Sequence, residues 1–497
     1  MNLLKKISTV AITATMALTL AACGNSTNNE SSNVAENAGS TSSDKPTLHY
    51  VDIGTPPKDL AKVNEKINEH LDEAGADYHL ELTFWDWGDY EQKLQLASNT
   101  GEDWDLAFSA SWAGPYETMV EKGAFLDITD KLDKDGASIK DKLSEDVIKG
   151  AEIDGKLYGI PGAAETVVAG DYFVWNKQFV DKYNIPYEDV RSLDDLEPYL
   201  KEVKEGEETV EYPLAVANDW GIVTTPVPQY TIIPGIAVKE DNGKLKAYNQ
   251  FADEEYKQEI DAMKKFMDEG YINPSAPQTE AGQKYEGNSW LVTKAEGDPS
   301  ANAVWKDSFG TEVVSYPIGE NVLISNEKAQ GKLVSINSQS KYPDQAFDFI
   351  NRMFDDEELQ RILCYGIEGE HYELQDGKVQ RTDNYMNYDV PAFTFIAADT
   401  QTPKVGQPTK GEADYDAAVK DYKSKLLPSP VLGFTLDREQ ISSEISNVQQ
   451  TFEEYKKNIQ TGAFDDSYYE DFLKKLDDAG INKIVEETQK QLDNWQK

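Results

Sequence analysis

Five tryptophans stand in polar, loop-like surroundings rather than in apolar stripes. They are Trp87 in WDWGDY, Trp112 in SASWAGPY, Trp220 in VANDWGI, Trp290 in EGNSWL, and Trp305. Asp86, Glu165 and Asp219 add carboxylates to the set. A flat indole offers a large face at little entropic cost, and the apolar C–H side of a pyranose stacks on such a face. Ionised carboxylates accept charge-assisted hydrogen bonds from hydroxyls. Together these groups suit the capture of a neutral sugar. Any single tryptophan reads equally well as a partly buried core residue; as a set near predicted strand ends they read as a ligand platform. Tyr365 and Glu368 in YGIEGEHY are secondary candidates, and that stretch reads as readily as a tight turn held by Gly366 and Gly369.

Covalent chemistry finds little support. The chain has no GxSxG, no GxGxxG after a strand, no P-loop and no HExxH. His49, His70, His79 and His371 are scattered without metal-ligand spacing, and His70, beside the apolar stripe of a helix, is expected to face solvent. Asp130, Asp133, Asp135 and Gly136 outline a calcium loop, but Lys131 and Leu132 break its ligand alternation. Neither metal nor cofactor is expected. Two carboxylates can hydrolyse a glycosidic bond, yet among 90 acids some pair always looks suitable. The run Asp355–Glu358 reads as a helix start, where acids are favoured.

The N-terminus fixes the compartment. Lys5 and Lys6 precede an apolar run from about Val10 to Leu20, closed by Leu20-Ala21-Ala22-Cys23. A basic head, a short apolar centre and small residues before the cut describe a secretory signal over residues 1–22. The run is shorter than the roughly 20 residues a membrane span needs. Cysteine after the small pair is the bacterial lipoprotein pattern, in which Cys23 is lipidated and becomes the first residue. Two acyl chains anchor durably where one is marginal. Residues 23–46 are rich in Ser, Asn and Gly, and so read as a flexible tether.

The formal charge is −42, and loss of the signal removes two lysines and no acid. Such a surface repels phosphate backbones and anionic lipid, so nucleic acid and polybasic membrane roles are excluded. With Cys23 lipidated, Cys364 has no disulfide partner and reads as a buried core thiol. An exported chain without disulfides points to a Gram-positive surface, and a monomer is expected.

The residues above must be positioned by alternating strands and helices. Residues 47–53, 78–85 and 105–108 read as strands, with helical spacing at Leu60, Val63, Ile67 and Leu71 and again around Tyr90 and Leu94. This alternation predicts an α/β layer with a largely parallel sheet, whose carboxyl ends bind ligand. Those ends carry residues 52–55, 85–87 and 109–112. Further on, residues 172–176 and 313–318 read as strands, Ser192 with Asp195 as a capping box for a helix through Lys204 that Pro198 must either kink or start later, 254–269 as a helix, and Pro343 as a helix opener. Residues 472–495 give an amphipathic helix pair broken at Gly480.

GKLYGIP (155–161), FVWNKQFVDKYNIP (173–186) and SINSQSKYPDQAFDFINRMF (335–354) resemble extracellular solute-binding proteins of bacterial ABC importers. YGIEGEHYEL (365–374) resembles the long lipoprotein branch that handles oligosaccharides. LLPSPVLGFTLDREQISSEISNV (426–448) and FLKKLDDAGINKIVEETQKQLDNW (472–495) are similar to the C-terminal domain of LipO-like lipoproteins. The resemblance implies a type II periplasmic-binding-protein fold, with two lobes joined by a hinge and the ligand cleft between them. Lobe 1 is expected over residues 47–165 and 312–360, and lobe 2 over 166–311 and 361–497. It further implies an oligosaccharide ligand, permease subunits with a cytoplasmic ATPase as partners, and contact with the membrane only through the lipid. A surface glycoside hydrolase or lyase, and a peptide receptor, are the alternatives.

Overall fold

The computed structural model describes residues 45–162, 170–220, 230–297, 301–318, 322–375, 378–391, 394–396, 421 and 424–496. The signal, Cys23, the tether up to Asp44 and Glu165 lie outside the described residues. Among the described residues no helix is long and apolar enough to cross a membrane.

The first sheet grows from β1 (Thr47–Ile53), which is buried from Tyr50 to its carboxyl end. β1 pairs in parallel with β2 (His79–Trp85) and β3 (Leu106–Ser109). The helices Leu60–Glu73 and Tyr90–Thr100 make the crossovers. β4 (Gly159–Pro161) and β12 (Leu333–Ile336) complete the order β2-β1-β3-β12-β4, and β12 is antiparallel to both neighbours. The sheet is thus less parallel than the alternation predicts. β12 enters on the return from a second body, without a helical crossover, so its direction is not set by a βαβ unit.

Val63, Ile67 and Leu71 cover one side of this sheet, and Ala346, Phe349, Ile350 and Met353 of the helix Pro343–Asp355 join the same core. Leu363, Cys364, Phe395 and Ile396 belong to it too, beyond the boundary expected at residue 360. Cys364 is buried, as its apolar neighbours suggest. His70 is not solvent-facing: it is 9% exposed, and its Nε2 lies 2.6 Å from Asp356 Oδ2. Asp356 also caps the helix Glu357–Tyr365 by accepting from Leu359 N–H, so the imidazole is sealed against a helix start.

In the second body β5 (Gly170–Asn176) lies between β9 (Val292–Gly297) and β10 (Val313–Pro317), all antiparallel. Its side chains alternate as the pleat requires. Phe173 and Trp175 join the core under the helices Leu193–Gly206 and Glu254–Asp268, and Tyr172 and Val174 join Trp290, Trp305 and Phe309. The capping box at Ser192 and Asp195 forms, and the helix it opens runs through Pro198.

A meander, β6 (Tyr230–Ile233), β7 (Ile236–Asp241) and β8 (Lys244–Asn249), packs with the helices Ser442–Gln460, Asp466–Ala479 and Ile481–Trp495 in a third core. Gly480 ends the middle helix at φ +97, a left-handed conformation that costs other residues strain. Among the described residues the chain passes between the first sheet and the rest from β4 to β5, from β10 to β12 and around β15 (Leu426–Pro428). β15 pairs in parallel with β11 (Val322–Ile324). Beyond it, Leu432 packs with Val147, Ile324 and Ala329, while Val431 and Phe434 enter the third core. A hairpin of β13 (Tyr372–Gln375) and β14 (Lys378–Arg381) completes the strands described.

Phe472 is fully buried, with its ring against Phe251, Tyr455 and Tyr469. Phe472→Ala is expected to destabilise the protein by about 3–5 kcal/mol, read as a lower midpoint in urea denaturation.

Candidate functional site

β2 ends in a turn whose Asp86 carbonyl accepts from the N–H groups of Asp89 and Tyr90, both at 3.0 Å. Trp87 sits on the tip of this turn. Beyond β3 the chain folds back, Ala110 N–H donating to Ala113 O at 2.8 Å, and presents Trp112. The two indoles are 45% and 52% exposed, which is unusual for tryptophan, and their planes meet at 21° with centroids 6.4 Å apart. Trp112 is not left to turn freely. Its Nε1–H donates to Gly331 O at 2.7 Å, the neighbouring Ser111 N–H donates to Gln330 O at 2.7 Å, and Phe108 lies against the ring. Below them the buried Tyr90 hydroxyl donates to Phe108 O, tying the helix start to β3.

Asp86 is exposed beside Trp87 and accepts from Thr55 Oγ1 at 3.2 Å, Thr55 belonging to the loop after β1. Thr55, Asp86, Trp87 and Trp112 therefore come from the carboxyl ends of three adjacent parallel strands. That is where open α/β sheets bind ligands. The surface combines an apolar aromatic face with a carboxylate and a hydroxyl at its edge, which is complementary to a polyhydroxylated ring.

Asp52 and Gly54, at the carboxyl end of β1, are buried. A Cβ on Gly54 would meet Pro391 at 3.0 Å and Phe84 at 3.2 Å, with φ at +152. Asp52 is fully buried and accepts from Ile53 N–H (2.7 Å), Thr394 Oγ1 (3.0 Å) and the Tyr50 hydroxyl (3.3 Å). Burial pushes its carboxyl up to about 7, against the opposing pull of these hydrogen bonds.

Other residues singled out by sequence fall elsewhere. Trp220 and Trp290 are 3% and 2% exposed and Trp305 is buried beside them, so these rings are core, not platform. Trp290 packs against Tyr285 and Phe309, and Trp305 against Tyr172. Asp219 and Lys306, next to Trp220 and Trp305, are exposed while those indoles turn in. Tyr365 is half-buried against Tyr372, and Glu368 is exposed on the turn between Gly366 and Gly369, whose φ values are +82 and +81. That turn reaches the amino end of the helix Leu60–Glu73 and is not part of the tryptophan pair. Glu165 lies outside the described residues. Thr55 falls in the strand-end segment 52–55 that the sequence places on the ligand side, whereas Gln330 and Gly331 carried no sequence signal, because a backbone carbonyl acquires its role only through tertiary placement.

Asp59, Glu370 and His371 bring ligand atoms within 4.8 Å of one another. His371 Nδ1 accepts from Ile367 N–H at 3.0 Å, which leaves the proton on Nε2, 3.4 Å from Asp59 Oδ2. Lys62 supplies the positive charge, 2.6 Å from Glu370 and 3.6 Å from Asp59. With the imidazole lone pair used and an ammonium in place, the group suits an ion-pair network better than a metal. The expected calcium-loop mimic is a helix, Thr129–Asp135, with Asp130 and Asp133 facing Lys134 and Lys140.

Comparison with known proteins settles the family. The model of the bacterial extracellular solute-binding proteins matches residues 66–365, more than half of the chain. The chain belongs to this family. Residues 430–497 match a domain of unknown function, DUF3502. This solute-binding protein is 28% identical over 492 residues, covering 97% of its length and 96% of the relative's, to a "Carbohydrate ABC transporter substrate-binding protein" of Streptococcus pneumoniae serotype 4. It is 23% identical over 407 residues (73% and 75% of the two chains) to a polygalacturonan/rhamnogalacturonan-binding protein of Bacillus subtilis. Among solved structures it superposes on the N-glycan transport solute-binding protein of S. pneumoniae with a TM-score of 0.80, at 25% identity, covering 90% of this chain and 99% of that one. Against the same protein in complex with Man5GlcNAc the TM-score is 0.70, at 26% identity, covering 91% and 98%. The fold is the type II periplasmic-binding-protein fold.

Asp52 gives this protein a testable pH dependence. A carboxyl whose folded pKa is raised keeps its full stabilising contribution below the unfolded value near 4, and loses it as pH rises to about 7. The melting temperature of wild type relative to Asp52→Asn should therefore fall across that window and level off above it, measured by differential scanning calorimetry.

Proposed function

We propose that this solute-binding protein captures an oligosaccharide on the Trp87–Trp112 face and hands it uncut to a membrane permease energised by a cytoplasmic ATPase. The observation that carries this is the pair of nearly parallel, half-exposed indoles, held by the Gly331 carbonyl and edged by Asp86 and Thr55. The relatives named above, described as a carbohydrate transporter's substrate-binding protein, a polygalacturonan/rhamnogalacturonan-binding protein and an N-glycan transport solute-binding protein, support the same reading. Cys23 carries the lipid, the tether to residue 46 holds the body off the outer face of a Gram-positive membrane, and the protein acts as a monomer. Lobe 1 comprises 47–165 and 312–360, extended by the Leu359–Cys364 and Tyr388–Ile396 residues that share its core. The remainder forms lobe 2. The sugar shifts an existing open–closed equilibrium by binding the closed form better. No catalysis takes place, and no metal or cofactor is required.

Intrinsic tryptophan fluorescence, titrated with a panel of oligosaccharides and with short peptides, tests this. A saturable change with one sugar class, and recovery of that sugar intact, is the expected outcome. A response to peptides alone, or release of cleaved sugar, would overturn it. Trp87→Ala and Trp112→Ala should each weaken binding by about tenfold or more, about 1.4 kcal/mol, with little change in melting temperature. Trp290→Ala should instead lower the melting temperature.

A further inference from the structure

The second body holds one cation of unusual surroundings. Residues Leu214–Ala217 run alongside β9, bridged in parallel at Leu214 and Val292, with Ala215 N–H donating to Val292 O at 2.9 Å. β9 ends at Gly297, opposite Gly170, the first described residue after the crossing from β4. Asn218, Asp219 and Trp220 are therefore delivered to the end of the second sheet at which the chain crosses to the first, the same junction that the carboxyl ends of β1–β3 face.

At that end the Lys284 ammonium lies 5.8 Å from the centroid of Trp220 and 5.0 Å from that of Tyr285. The side chain is half-buried and makes no hydrogen bond or ion pair with any described residue. Its neighbours differ: Lys294 sits 3.7 Å from Asp171, and Lys328 pairs with Glu296. The charged groups acting on Lys284 are exposed Asp219, which favours the ammonium, and Lys294, which opposes it; the Tyr285 hydroxyl is held neutral by burial. Burial pushes the amine down to about 8, so it is still charged at neutral pH. Ring faces stabilise an ammonium but accept none of its three N–H bonds well. In a chain of net charge −42, such a group is the local attraction an anionic ligand needs.

We propose that Lys284 is an anion-binding residue of the ligand cleft, and that the cargo is an acidic oligosaccharide whose carboxylate this ammonium receives. The assignment rests on the sugar-capture reading above and names the class of sugar within it. The amine supplies what Trp87 and Trp112 lack, a positive hydrogen-bond donor on the opposite side of the ligand.

The test uses pairs of probes that differ only in charge: oligosaccharides of galacturonate, mannuronate and glucuronate, each beside its carboxyl-reduced neutral counterpart. Isothermal titration calorimetry at pH 7 should find at least one acid bound about tenfold or more tighter than its counterpart. Lys284→Gln should erase that preference, bringing the acid's affinity down to about that of its neutral counterpart, while Lys284→Arg should keep it. The preference should also decline between pH 7 and 9, as the amine loses its proton. Melting curves of both variants separate loss of the charge from loss of the fold. Neutral sugars bound as tightly as acidic ones, or a preference that survives in Lys284→Gln, would overturn this assignment and leave sugar capture standing. Failure of every sugar, neutral and acidic, would overturn both.

Discussion

The return of the chain into the first sheet at β12 is the constraint on which the site depends. β12 lies antiparallel to β3, with Leu333 opposite Ser109 and Ile336 opposite Leu106. That register leaves the segment before β12 running beside the loop after β3. The carbonyls of Gln330 and Gly331 then stand where Ser111 N–H and Trp112 Nε1–H can reach them. A side chain that would otherwise rotate in solvent gains a fixed plane. Because the same segment descends from β10, its position is also tied to the second body, and the aromatic face is anchored to a connection between bodies.

The carboxyl ends of β1, β2 and β3 show opposite solutions to placing polar and apolar groups. Asp52 is a carboxyl sunk entirely into the core, tolerable because three donors converge on it and because burial favours its neutral form. Two turns away, large indoles are left in water. Each exposed ring forgoes about 1.5–3 kcal/mol of burial free energy. Folding alone does not explain that arrangement, which is why the proposed sugar contact is placed there.

Much of the architecture was legible because it rests on local rules. The buried run of β1, the capping box at Ser192, the helix opened by Pro343 and the break at Gly480 each follow from periodicity or backbone preference within a few residues. The site was only half legible. Trp87 and Trp112 follow strand ends, and strand ends could be placed. Trp220 and Trp290 have equally polar neighbours, yet whether such an indole turns in or out depends on partners such as Tyr285 and Phe309 that are distant in space until the chain folds. His70 fails for the same reason, since Asp356 lies 286 positions away. The direction of β12 was hidden because nothing in a four-residue strand records which way it will be threaded.

The third core has a bearing on how the protein comes into being. The meander β6–β8 cannot complete its inner face by itself: Ala247 N–H donates to Gln489 Oε1 and Gln489 Nε2 donates to Leu245 O, pairings 242 and 244 positions apart. Phe251 likewise waits for Phe452 and Phe472. Contacts so remote in sequence form slowly, because the long loop must close before any burial rewards it. A chain crossing the membrane amino end first can assemble the β1–β3 layer early, but its meander stays open until the last helices have emerged. An exported protein of this design therefore meets the end of translocation with an apolar sheet still to be covered, and the like charge of its acidic chains opposes their pairing in that interval.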